Sequence, residues 1–136
     1  MVDRERVLSK IDELDGYLAE LKEILPTTFL EYQKIEKKRS CERLLQLAIE
    51  CVIDICKLHV RGLKLGLPAG ENDLFEKMLH KEIITPDLAA LLKEMRAFRN
   101  ILIHEYAVVD DRLVFEKAGT NMGDFEKFKQ EIRKIL

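Results

Sequence analysis

The stretch Leu44–Val60, LLQLAIECVIDICKLHV, is apolar over too wide an arc to lie on the surface of a protein. Leu44, Leu45, Ala48, Ile49, Val52, Ile55, Cys56, His59, Val60 and, further on, Leu63 recur at the three- and four-residue steps of an α-helix. Together they cover enough of the circumference to face two neighbours, which places this helix at the centre of a bundle. Thr27 and Thr28 offer it an N-cap after Pro26, and Gly62, Gly66, Pro68 and Gly70 break the pattern, so it is expected to run from the threonines to about Leu65.

Upstream, Val7, Ile11, Leu14, Leu18, Leu21 and Leu25 alternate steps of four and three on a first helix that Pro26 ends, giving a narrow seam close to coiled-coil spacing. Downstream, a short helix is expected from about Asn72 to His80. Thr85-Pro86-Asp87 then supplies a cap, a proline at the first helical position and an acid at the positive end of the dipole. The helix that starts there carries Leu88, Leu91, Leu92, Met95, Phe98, Leu102 and Ile103. Val108–Glu116 mixes β-branched residues with the turn-like pair Asp110-Asp111 and reads as an irregular or briefly extended connection. Asn121, with Asp124 three residues on, can cap a last helix bearing Phe125, Phe128, Ile132 and Ile135. The expected architecture is a single all-α domain over residues 1–136, an antiparallel four-helix bundle with an extra short helix. The narrow seam of the first helix and the wide apolar faces elsewhere leave surface for a second copy, which points to a homodimer.

With 136 residues the chain can bury one core. Its net charge of −2 excludes the general basic excess of a protein that coats nucleic acid, so any contact with nucleic acid must be local. Cys41, Cys51 and Cys56 show neither CxxC spacing nor a nearby histidine cluster, and read as buried free thiols rather than a zinc site. No apolar run approaches the ~20 residues needed to span a membrane. The N-terminus, MVDRERVLSKIDELD, is charged and amphipathic rather than a signal peptide, so a cytoplasmic protein is expected.

The segment Arg96–Tyr106, RAFRNILIHEY, sets an arginine, an amide, a histidine and a tyrosine among aliphatic residues at a helix end. Asn100 and His104, four apart, share a face of a regular helix. Arg99 and His104, five apart, are turned about 140° from one another. An arginine and a histidine near a helix C-terminus can simply interact with the dipole, with Tyr106 anchoring the next loop. The same residue types can also act on a phosphodiester without a metal: an imidazole can move the proton of a ribose 2′-hydroxyl, and a fixed guanidinium can stabilise charge on the phosphoryl oxygens. One such histidine per chain cannot be both base and acid, whereas a symmetric dimer would present two.

Arg99-Asn100-Ile101-Leu102-Ile103-His104-Glu105-Tyr106 resembles the RX4HXY form of the Arg-X4-6-His motif of the HEPN superfamily, and specifically of the HepT-like toxins. The likeness extends to LLQLAIECVIDIC, to GLP at Gly66–Pro68 and to the short helix after it. It implies a dimeric helical bundle with metal-independent endoribonuclease activity, needing no cofactor and paired with a minimal nucleotidyltransferase antitoxin. Arg99 and His104 match the catalytic pair, Asn100 the polar residue beside the arginine, and Tyr106 the tyrosine that receives AMP units. Negative charge added there would repel RNA from an anion-binding groove. A catalytically silent helical module that binds nucleotide or docks a nucleotidyltransferase is the alternative.

Asp54 interrupts an apolar run; it either supports Arg99 or His104, or lies semi-exposed on the polar stripe with Glu50 and Lys57. Lys57, Arg61 and Lys64 continue that stripe at i, i+4 and i+7 and are candidate RNA contacts. Lys34, Lys37, Lys38, Arg39 and Arg43 are interleaved with Glu31, Glu36 and Glu42 and read as an ordinary solvated face. His59 falls on the apolar side as a core or interface residue, and His80 ends the short helix.

Overall fold

A computed structural model describes residues 1–105 and 107–136. Among these, all regular structure is helical: α1 Arg4–Ile24, α2 Phe29–Tyr32, α3 Ile35–Gly62, α4 Glu71–His80, α5 Pro86–His104 and α6 Asp111–Lys134. None of these helices is long and apolar enough to cross a membrane.

The start of α1 is set by Asp3, whose carboxylate accepts from the Arg6 N–H at 3.2 Å, and Val7, Ile11, Leu14, Leu18 and Leu21 are its buried seam, as the spacing predicts. α3 is the central element and packs against the five other helices. Leu45, Ala48, Ile49, Val52, Ile55, Cys56, His59 and Val60 are buried along it, while the last expected member, Leu63, lies exposed at its C-cap. The neighbours run antiparallel. Asp54 of α3 meets Lys10 of α1 while Gly62 meets Met1; Glu71 of α4 meets Arg99 of α5 while Glu76 meets Lys93.

Two boundaries differ from expectation. Thr28 caps, but what it caps is the single turn α2, accepting from the Glu31 N–H at 3.3 Å, and α3 begins only at Ile35 with no side-chain cap. Burial accounts for the interruption: Tyr32 is fully buried, with its ring centroid 6.3 Å from Phe29 and 5.3 Å from Phe115 of α6. The last helix likewise does not begin at Asn121. Asp110 is its N-cap, accepting from the Arg112 and Leu113 N–H groups at 3.0 and 3.3 Å, and the span expected to be extended is helical from Asp111. Val114, Ala118, Asn121, Phe125, Phe128 and Ile132 form one buried stripe, so Asn121 is a mid-helix residue.

At its C-terminus α3 closes with the Lys64 N–H on the Arg61 carbonyl and the Leu65 N–H on the Val60 carbonyl, at 3.1 and 3.0 Å. That closure puts Lys64 at φ +54, a left-handed conformation that glycine would adopt with about 1 kcal/mol less strain. Gly62 is required for a different reason. The N-terminal segment crosses it so closely that a Cβ would lie 2.6 Å from the Val2 Cα.

Candidate functional site

The start of α4 and the end of α5 meet at one carboxylate. Glu71, the first residue of α4, accepts from the Arg96 Nε at 3.0 Å and from the Arg99 Nη2. Arg99 also donates its Nε to the Asn100 Oδ1 at 3.0 Å, so the guanidinium is held on two edges. The Arg99 side chain is only 11% exposed, which makes this clamp far stiffer than a surface ion pair. Burial pushes the Glu71 carboxyl up, but the two guanidinium groups outweigh it and hold the carboxyl below its ordinary value. The folded state therefore gains from this ionisation fully above about pH 4.5, the ordinary value, and loses the gain as pH falls through the lower folded one.

α5 stays helical through His104, its last residue, and Glu105 is the C-cap. The ending of the helix therefore does not swing His104 round towards Arg99; within one chain Arg99 turns to α4 while His104 is exposed at the helix tip. Tyr106 lies outside the described residues. Asp54 joins neither Arg99 nor His104. It sits half-exposed on the side of α3 that faces α1 and pairs with Lys10 at 3.4 Å, so the carboxylate that supports Arg99 is Glu71.

Lys57, Arg61 and Lys64 are brought together. With Val60, Leu74 and the Gly66–Pro68 turn they line an open groove of about 660 Å³ between the end of α3 and the start of α4, and Glu71 lies in its wall. Leu67, 94% exposed, stands at the same groove. The basic stripe and the Arg99 clamp thus belong to one continuous surface, with Glu71 as their common member.

Other reactive groups are shut away. Burial drives the thiols of Cys41, Cys51 and Cys56 up to about 11, 11 and 12, so all three remain protonated and inert. His59 is buried, with Nδ1 2.9 Å from the Ile55 carbonyl and no partner at Nε2. Burial lowers its proton affinity despite that hydrogen bond, which fits a neutral core residue. His80 closes α4, as expected.

Sequence reasoning missed Glu71 and left Arg96 without a role. No local signal could have paired them, because the partners are 25 and 28 residues apart and a lone glutamate opening a helix reads as a dipole acid.

Residues 14–132 match the family described as ribonuclease HepT-like. The chain is 27% identical over 129 residues to a "tRNA nuclease HepT" of Aphanizomenon flos-aquae, covering 94% of this chain and 88% of that one. Against an "mRNA nuclease HepT" of Shewanella oneidensis it is 33% identical over 89 residues, covering 65% and 67%. The fold superposes on a tri-AMPylated Shewanella oneidensis HEPN toxin, solved in complex with MNT antitoxin, with a TM-score of 0.88 and 26% identity over 98% of this chain and 99% of that one.

Proposed function

The chain belongs to the HepT-like ribonuclease family, and from that premise we propose that it is a metal-independent endoribonuclease, the toxin of a pair whose antitoxin is a minimal nucleotidyltransferase. The observation that carries the reading is the clamped Arg99: a guanidinium fixed on two edges by Asn100 and Glu71, five residues before the exposed imidazole of His104. Such a cation is preorganised for charge that develops on phosphoryl oxygens.

In the proposed reaction His104 takes the proton of a ribose 2′-hydroxyl. The 2′-oxygen bonds to phosphorus, the bond from phosphorus to the 5′-oxygen breaks, and a protonated imidazole delivers its proton to that leaving oxygen. Arg99 stabilises the dianionic phosphorane between the two. Because Arg99 and His104 diverge on a regular helix, a homodimer supplies the missing half: Arg99 of one copy works with His104 of the other, and the second imidazole serves as the acid. Lys57, Arg61 and Lys64 hold the RNA backbone in the groove. The whole of residues 1–136 acts as one domain in the cytoplasm, without a cofactor. AMP units transferred to Tyr106 switch it off by placing negative charge where phosphate must bind.

Purified protein is expected to cut RNA in the presence of EDTA and to leave 2′,3′-cyclic phosphate and 5′-hydroxyl ends. Co-expression with a genomically adjacent nucleotidyltransferase should stop cleavage and add AMP increments that map to Tyr106. A preparation that cuts no RNA, or cuts only with added metal, contradicts the proposal.

A further inference from the structure

Ten of the 23 basic side chains take part in ion pairs among the described residues. Lys34 pairs with Glu31, Lys38 with Asp111, Arg39 with Glu42, Lys93 with Glu76 and Lys129 with Asp15. One concave face gathers several that do not. Between α1 and α3 lies a second cavity, of about 390 Å³, whose wall carries Arg6, Lys10, Lys57 and Arg61 against the single carboxylate Asp54. Lys10 is engaged by both Asp54 and Glu13, whereas among the described residues Arg6, Lys57 and Arg61 take part in no ion pair.

Lys57 and Arg61 line both this cavity and the groove beside α4, so the two lie side by side across α3. The two linings together carry Arg6 and Lys10 of α1, the shared Lys57 and Arg61, and Lys64, and end at Glu71, which holds Arg99. Arg6, Lys57 and Arg61, uncompensated and lining one concave wall, repel one another and raise the local potential, a cost that an anion removes. One small anion would satisfy one end of such a path. Only a chain of anions satisfies all of it.

We propose that the α1/α3 cavity is a second phosphate site, holding the RNA backbone several nucleotides from the bond that is cut. This rests on the endoribonuclease reading above and extends it: Arg6 and Lys10, which no sequence motif marks, become substrate contacts, and the preferred substrate is a single strand long enough to reach both sites. Lys64 lines the groove beside α4 and adds a cation to that side.

The test is the salt dependence of binding to a 2′-O-methyl single-stranded RNA of some 20 nucleotides, which lacks the 2′-hydroxyl and cannot be cut by this chemistry. Each lost phosphate contact lowers the slope of log K against log salt by about 0.7. The double variant Arg6→Gln/Lys10→Gln should therefore lose about 1.4 from the slope. The comparison variant Lys127→Gln/Lys134→Gln, with the same charge change on exposed positions of α6 outside both cavities, should keep the slope of the parent. Lys64→Gly, which relieves its backbone and so preserves the fold, should lose about 0.7. An unchanged slope in the Arg6/Lys10 variant, or an equal loss in the α6 variant, overturns the second site. The parent's cleavage of unmodified RNA is measured in the same preparation, so failure of the second site and failure of the nuclease reading are read apart.

Discussion

Replacing His104 with alanine is expected to lower the rate of RNA cleavage by about 10²–10⁴-fold, the usual contribution of a positioned acid or base. The change should be clean. His104 is exposed on the last residue of α5 and takes no part in the buried core, so its removal leaves no cavity and no orphaned partner. What is lost structurally is at most the interaction of an imidazolium with the helix C-terminus, about 0.3–1 kcal/mol. Urea unfolding of the variant should therefore nearly overlay that of the parent while its cleavage of RNA collapses. His80→Ala, which alters the last turn of α4 and touches neither the groove beside Arg99 nor the tip of α5, should keep the parental rate. A His104→Ala protein as active as the parent would remove the base from the proposed reaction.

Arg99→Lys is the second large effect. The substitution keeps the charge, so a site that needed only a cation would tolerate it. The arginine does more: its Nε is committed to Asn100 and its Nη2 to Glu71, and among the described residues Nη1 has no protein partner and remains for an anion. Lysine has a single nitrogen, which Glu71 would claim, and cannot present a fixed second edge to phosphate. Loss of one preorganised donor to a transition state costs about 10²–10³-fold in turnover. The loss should fall on the maximal rate of single-turnover cleavage, with the half-saturating RNA concentration moving far less, because in the proposed complex the general attraction for RNA comes from Lys57, Arg61 and Lys64. Stability should drop only modestly, since Arg96 stays on the Glu71 carboxylate. A rate within a few-fold of the parent would show that the geometry of the clamp is irrelevant.

How far the sequence disclosed this arrangement depended on whether the signal was local. The α1 seam and the start of α5 were legible because spacing and caps act within one or two turns, and the wide apolar arc of α3 identified the central helix. The α2/α3 break was not, because it arises from packing of the Tyr32 ring against Phe115, more than eighty residues away. α6 was misread for two reasons. Asp110-Asp111 is equally a turn and a helix start, and Gly119 and Gly123 lower helix propensity at positions where nothing packs against them. At the site, the motif from Arg99 to Tyr106 could be read directly. Glu71, Arg6 and Lys10 could not, since their importance comes only from the docking of α4 on α5 and α1 on α3. Asp54 shows the converse: its place in an apolar run marked it as unusual, but which helix it faces decides its partner, and it faces Lys10.

The central claim is that a second copy of the chain completes the site, and mixing the parent with His104→Ala protein tests it. If equal amounts are dissociated and allowed to reassociate, half of the dimers pair one parental chain with one variant chain and a quarter are parental throughout. Base and acid come from different copies, so a mixed dimer holds only one of the two imidazoles, and cleavage should fall to about a quarter of the rate given by the same total amount of parent. A mixture that keeps about half of that rate, with mixed dimers shown to form, would contradict the shared site.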